Sequence, residues 1–499
     1  MITFEEYRKL DAMAMADLVR RKELAAPELL QCASERYADI NDSINAITTS
    51  MLTCARRYLE QHVPKGPLAG VPMVLKDLLA AFAGVPMSNG SRAYQGMMVT
   101  ENSTLVQRLA DAGAVFVGKS NTPELGLLAT TENSAFGPTR NPWNPARTAG
   151  GSSGGTAAAV AAGIVPVGSA GDGGGSIRIP ASCCGLFGLK PSRGLVPSGP
   201  DYGEVWDGAV SEHVITRSVR DSALILDVLA GADNASHCAG TVGRGFLKQL
   251  EKPLPKLKIA FSKTSPLGGV VATECQAAVE ESARLLAGMG HEVVEAAPDI
   301  PTPERIIKAY LDIYLAHVSD DVQKIEDRFG MRYSANYFEP GTLLISRFGR
   351  RFRAGDFVAS RRYWVELRQA MARFHAQYDV WMTPVLADKP YEIGVLHTSP
   401  QEDWAMRLMC WSGAHRLLPL RLFYQFSAPQ LHKVPFTQIA NLTGQPAMSV
   451  PLAWSSDNLP IGIQFVGGVN SDALLLRLAR QLEEVQPWFD RLPPGESAS

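Results

Sequence analysis

No part of this 499-residue chain is strongly basic. Its 48 Lys and Arg stand against 50 Asp and Glu, for a formal charge of -2, which argues against nucleic acid as the main partner. Unbroken apolar runs are missing too. The most apolar stretch, AAAVAAGIVPVGSAG, is interrupted by Gly163, Pro166 and Gly168 and falls short of the roughly 20 apolar residues of a membrane span. The opening MITFEEYRKLDAMAMADLVRRKEL carries early acidic residues and apolar ones at helical spacing, so it does not read as an export signal. Cysteine is sparse and unpaired in pattern: Cys32, Cys54, Cys183, Cys184, Cys238, Cys275 and Cys410 make an odd number with no CxxC. That usage fits reduced thiols in a cytoplasm. The nine histidines show no HExxH or similar spacing, so no metal and no cofactor is expected. Internal repeats and low-complexity tracts are absent as well.

What is present is a globular composition, 46% hydrophobic, with apolar runs alternating with amphipathic ones. VPMVLK (71–76), AVFVG (114–118), IVPVGSA (164–170), LKIAFS (257–262), HEVVEAA (291–297), VWMTPVL (380–386) and IGIQFVGG (461–468) read as strands. Between them, NSTLVQRLADAG and ECQAAVEESARLLAGMG have helical spacing and end in Gly. The alternation predicts an α/β fold with a mixed sheet between helices. A helical arm is expected over residues 1–66, the main domain over 67–490, and a tail over 491–499. Within the main domain, about 300–429 is expected to be helical, aromatic-rich and on the substrate side.

Three short motifs compete for the chemistry. GAVFVGKS (113–120) matches the phosphate-loop pattern GxxxxGK[ST]. A true phosphate loop is open, with a helix starting at its Lys, whereas Ala114-Val115-Phe116-Val117 is a strand by composition and Pro123 follows closely. GGSSGG (150–155) contains GxSxG around Ser153, but an α/β-hydrolase elbow needs a strand before it, and TRNPWNPARTA reads as loop. The third candidate is distributed: Lys76 ends an apolar run, Ser152 lies in GGSSGG, and Ser176 follows the crowded glycines of VGSAGDGGGSIRIPASCCG (167–185). Cys183 and Cys184 lie in an apolar, helical context where a thiol is inert.

On these residues the chain resembles the amidase signature family. GGSSGG and GGSIRIPAS place Ser152 and Ser176 24 residues apart, and AGVPMVLKD, VGKSNTPELG, GPTRNPWNPARTAGGSSGGTAAAVAAG, CGLFGLKPSRG and PFTQIANLTGQPAMSVPLAWSSDNLPIGIQFVG all match its pattern. The likeness spans the chain except for about residues 300–420, and RNPWN and TGQPAMSVP look closer to bacterial hydrolases of the 6-aminohexanoate cyclic dimer and aryl amide type. The resemblance implies the amidase signature fold and a Ser–cis-Ser–Lys triad: Ser176 as nucleophile, Ser152 as the bridging hydroxyl after a cis peptide bond, and Lys76 as base. It gives Asp172, Arg178 and Ser153 supporting roles. The family usually reads GTDxGGSIR where this chain has AGDGGGSIR, so Gly171 and Gly173 replace larger residues.

The chemistry is coherent on its own terms. A serine hydroxyl is a weak nucleophile until a base accepts its proton, and lysine serves as that base only when burial or neighbouring cations depress its pKa. The N–H groups of Gly173, Gly174, Gly175 and Ser176 are expected to form the oxyanion hole, since no side chain blocks their approach. The expected activity is hydrolysis of a carboxylic amide, linear or cyclic, through an acyl-enzyme, with a preference for apolar or aryl amides. The dense aromatic load between Tyr310 and Tyr424 suggests that preference, and Arg332, Arg361 and Arg362 would be the carboxylate clamps if charged amides were preferred instead. Alternatives are a glutamyl-tRNA amidotransferase A-type subunit, for which GKSNTPEL departs from the usual GKxNMDEF, a nucleotide-binding protein using GAVFVGKS, and a non-catalytic binding protein. A homodimer is compatible with all of these readings.

Overall fold

The computed structural model describes residues 2–236, 245–300 and 302–494; Cys238 and the last five residues of the expected tail lie outside them. Eleven strands form one mixed sheet. Numbered along the chain they are β1 (Ile47–Ser50), β2 (Pro72–Lys76), β3 (Val115–Ser120), β4 (Val167–Asp172), β5 (Phe187–Lys190), β6 (Ser211–Thr216), β7 (Lys258–Phe261), β8 (Glu292–Glu295), β9 (Val380–Pro384), β10 (Ala447–Trp454) and β11 (Pro460–Gly467). Their order across the sheet is β1-β3-β2-β4-β6-β5-β10-β11-β9-β7-β8.

Two parallel patches sit within this sheet. β4, β2 and β3 run parallel to one another, as do β9, β7 and β8, and the strands between are antiparallel. The central strands are buried along their whole length, as expected of a sheet covered by helices on both faces. All seven runs read as strands are strands of this sheet. The first 66 residues hold four helices and also β1, which pairs with β3 at the sheet edge. Residues 303–375 are largely helical, led by Pro303–Phe329, and pack a separate apolar cluster that includes Tyr310, Trp364 and Trp381.

Both short motifs that resembled other folds resolve here. Residues 115–120 are β3, and buried Lys119 gives its ammonium to the carbonyl of Ala80, so no open loop is available to cradle phosphate. Upstream of GGSSGG the structure corrects the reading of a pure loop: Asn144–Thr148 is a short strand, paired with Arg140–Asn141 in a separate two-stranded piece. What disqualifies Ser153 as an exposed elbow is its complete burial.

Candidate active site

β2 and β4 are parallel neighbours, so their carboxyl ends open on the same edge of the sheet, the edge where α/β sheets commonly bind ligands. Lys76 is the last residue of β2, and Asp172 the last of β4. The glycine run follows Asp172 directly, and the helix Arg178–Cys184 begins after Ser176 and Ile177. Ser152 and Ser153 lie just before the helix Gly154–Ala161, and the Gly151–Ser152 peptide is cis. A side chain at Gly151 would put its Cβ 2.5 Å from the Thr130 carbonyl oxygen, so only glycine fits there.

These loops bring Lys76 and Ser152 into contact. Lys76 Nζ donates to Ser152 Oγ at 2.7 Å and to the Gly171 carbonyl at 3.4 Å. Ser153 Oγ donates to that same carbonyl at 3.4 Å. Lys76 does not reach out to water: it is 3% exposed, and burial drops its pKa to about 7 against the opposing pull of Asp172 and Glu212. Ser176 is half-buried and lines, together with Lys76, Ser152, Gly173 and Gly174, a cavity of about 600 Å³.

Asp172 and Arg178 are fully buried and form a bidentate pair, Nε to Oδ2 at 2.9 Å and Nη2 to Oδ1 at 2.8 Å. Burial alone would raise the Asp172 carboxyl, but the Arg178 charge and hydrogen bonds hold it far below the usual range. Arg178 also donates to the Thr437 carbonyl, Gln464 Oε1 and Asn441 Oδ1, and Asn441 donates back to Asp172. Sequence reading did not single out Thr437, Asn441 or Gln464, although TQIANLTGQ and IGIQFVGG contain them.

The glycine run answers to more than one demand. Gly175 donates its N–H to Asp172 Oδ1 at 2.7 Å and is not among the cavity-lining residues. Its amide is therefore committed to Asp172, and of the four amides expected to form an oxyanion hole those of Gly173, Gly174 and Ser176 belong to cavity-lining residues. At Gly174 a Cβ would sit 1.8 Å from the Tyr310 hydroxyl, so glycine is needed there for a side chain that sequence reading had assigned only to the general aromatic load.

That load is redistributed as well. Of the nineteen aromatics from Tyr310 to Tyr424, only Tyr310 lines the main cavity. Tyr314 borders a smaller one, while Trp404 and Trp411 are 67% and 86% exposed. Tyr94, Tyr202 and Trp206 supply the other aromatic wall. The outer rim carries Asp201, Glu204, Asp320 and Asp321 with Lys324 and Arg328, whereas Arg332, Arg361 and Arg362 are not part of it. Cys183 and Cys184 are buried, and burial pushes both thiols far up.

The family model for amidase matches residues 28–416 and 421–476. The chain belongs to the amidase family. This amidase is 35% identical over 495 residues to a 6-aminohexanoate-cyclic-dimer hydrolase from Pseudomonas sp. (strain NK87), covering 97% of this chain and 96% of that one. It is 37% identical over 492 residues to the putative amidase AmiB2 of Mycobacterium tuberculosis (strain ATCC 25618 / H37Rv), covering 97% of each. The structure of a 6-aminohexanoate cyclic dimer hydrolase complexed with substrate superposes with a TM-score of 0.87 at 33% identity, over 98% of this chain and 99% of that one. A bacterial aryl acylamidase of the amidase signature family superposes at 0.84 and 26% identity, over 96% and 98%. The amidase is accordingly a hydrolase of carbon–nitrogen bonds other than peptide bonds, and its α/β fold with the eleven-stranded mixed sheet is the amidase signature fold. Among the described residues no helix is long and apolar enough to cross a membrane.

Proposed function

We propose that the amidase cleaves its amide through a serine acyl-enzyme. Ser176 attacks the carbonyl carbon while its proton passes to Ser152 Oγ, whose own proton is taken by neutral Lys76 Nζ. The carbonyl oxygen becomes an oxyanion held by the amides of Gly173, Gly174 and Ser176. Collapse breaks the C–N bond as the proton returns from Lys76 through Ser152 to the leaving nitrogen, and water, activated by the same relay, releases the acid. Asp172 and Arg178 hold the loop, and Ser153 shares the Gly171 carbonyl with Lys76.

One observation carries this reading: a buried lysine, depressed to about 7, donating at 2.7 Å to a serine that lines one cavity with Ser176. A base with a pKa near the operating pH is the efficient choice for proton transfer. Ser176→Ala tests it, with turnover abolished and the melting temperature unchanged, while Ser153→Ala retains measurable turnover. Turnover by Ser176→Ala, with Ser153→Ala dead, would replace this assignment.

We further propose apolar or aryl amides as substrates. Leu78, Leu79, Met87, Met97, Val210 and Trp206 wall the cavity near the two serines, and the acidic rim opposes an anionic substrate. Both the cyclic-dimer hydrolase and the aryl acylamidase point the same way by their names.

A further inference from the structure

We propose that Glu212 is the counter-charge of Lys76: a positioning residue that sets the pH at which Lys76 becomes free to accept a proton. The inference rests on Lys76 being the base.

Glu212 sits on β6 directly opposite Gly171 of β4, the residue whose carbonyl accepts from Lys76 Nζ. Directly opposed residues of an antiparallel pair share a face, and Gly171 contributes no side chain to that face. A Cβ at Gly171 would meet Glu212 Cγ at 3.8 Å, so the Glu212 stem runs over the space that glycine leaves open. Glu212 is 4% exposed, and no described residue donates a hydrogen bond to its carboxyl. A buried carboxylate without a partner is costly, and the cation that offsets it is Lys76. Burial raises Glu212 to about 7, with Lys76 alone pulling it down.

The neighbouring charges do not share this role. Asp172 also faces Lys76, but its pairing with Arg178 keeps it ionised throughout the working range. Lys190 on β5, pushed down to about 7 by burial, answers to Arg178, Asp172, Asp472 and Arg193 and not to Lys76. On the opposite face of β6, His213 is bonded to Ser222 of the helix Val219–Leu229, and Asp221 of that helix is engaged by the Ala12 and Met13 amides. The helix Gly154–Ala161, packed on β4 and β6, brings no titratable group. Glu212 and Lys76 are therefore two groups of nearly matched proton affinity. Such a pair titrates jointly, and each apparent value belongs to both groups.

The experiment is the pH profile of kcat/KM for Glu212→Gln, Glu212→Leu and Glu212→Asp on one anilide, with Lys76→Ala alongside. Glu212 ionises over the same range as Lys76, and removing its carboxylate takes away the charge that helps keep the proton on Lys76, so the acid limb of the Gln and Leu variants moves lower. Below the wild-type midpoint, each then retains a larger share of its own plateau than the wild type does. Glu212→Asp keeps the charge and stays near the wild-type midpoint. A Gln or Leu profile that superimposes on the wild type, or moves up, overturns the proposal, as does failure of both variants to fold, which would make the carboxyl structural. Full activity in Lys76→Ala would instead overturn the triad reading beneath it.

Discussion

Replacing Lys76 by Met should kill the enzyme and stabilise the protein, by an amount that vanishes at high pH. Burial lowers Lys76 from 10.5 to about 7, a shift of about 3.5 units. At about 1.4 kcal/mol per unit, the folded state bears a penalty on the order of 5 kcal/mol wherever both states are protonated. The sign follows from proton counting. Below pH 7 both states hold the proton and the full penalty applies. Between 7 and 10.5 only the unfolded state holds it, so wild-type stability climbs with pH, and above 10.5 the penalty is gone. Met fills similar volume without a charge but forfeits the hydrogen bond to Ser152, worth about 1 kcal/mol at every pH. A 499-residue chain gains about 1 kcal/mol of unfolding entropy change per degree, so Lys76→Met should melt about 3–4 °C above wild type at pH 7. The margin should be about 1 °C at pH 9 and nil or slightly negative at pH 10.5. Lys119 and Lys190, which burial also lowers, to about 8 and about 7, are common to both proteins and cancel in the difference. Glu212, deprived of its cation, titrates later in the variant and reinforces the trend. Melting curves for both proteins across pH 7 to 10.5 provide the assay. A margin that stays constant over that range, or widens, refutes the claim that Lys76 is buried with a depressed pKa.

Three further outcomes are expected. Asp172→Asn leaves the buried Arg178 guanidinium without its anion and should cost about 3–5 kcal/mol, read as a drop of several degrees in melting temperature with loss of activity. Gly174→Ala drives a methyl group onto the Tyr310 hydroxyl and should lower kcat/KM at least about 10²-fold, with part of the loss recovered in the double variant that also carries Tyr310→Leu. The acidic rim and apolar walls should favour an anilide or long-chain amide over a short carboxylate-bearing amide by tenfold or more in kcat/KM, about 1.4 kcal/mol in transition-state binding; the reverse order would redirect attention to Lys324 and Arg328 as carboxylate clamps.

The strands were legible because their apolar runs are long enough to be buried on both faces, and the short motifs around Lys76, Ser152 and Ser176 are dense enough to be recognised together. β5 and β6 were not. FGLK and SEHVIT carry polar residues in the middle of a buried sheet, and Glu212 in particular reads as solvent-facing until Lys76 is placed beside it. The same limit applies to Gly175: a bare N–H looks available in a sequence, and only the fold shows that Asp172 has already taken it. Asn441 and Gln464 were invisible as site residues because nothing in their local spacing says that Arg178 lies between them. Tyr310 was seen only as one aromatic among many, since helical periodicity distinguishes inward from outward without telling which inward residue meets a glycine loop.

Arg178 is joined to partners 259, 263 and 286 residues further along the chain, at Thr437, Asn441 and Gln464. During synthesis, Lys76, Ser152 and Ser176 all leave the ribosome long before those partners do. The guanidinium that steadies their loop has nowhere to dock until the final quarter of the polypeptide has been made. A nascent chain thus carries Lys76, Ser152 and Ser176 without a docked Arg178 until β11, which holds Gln464, has been made.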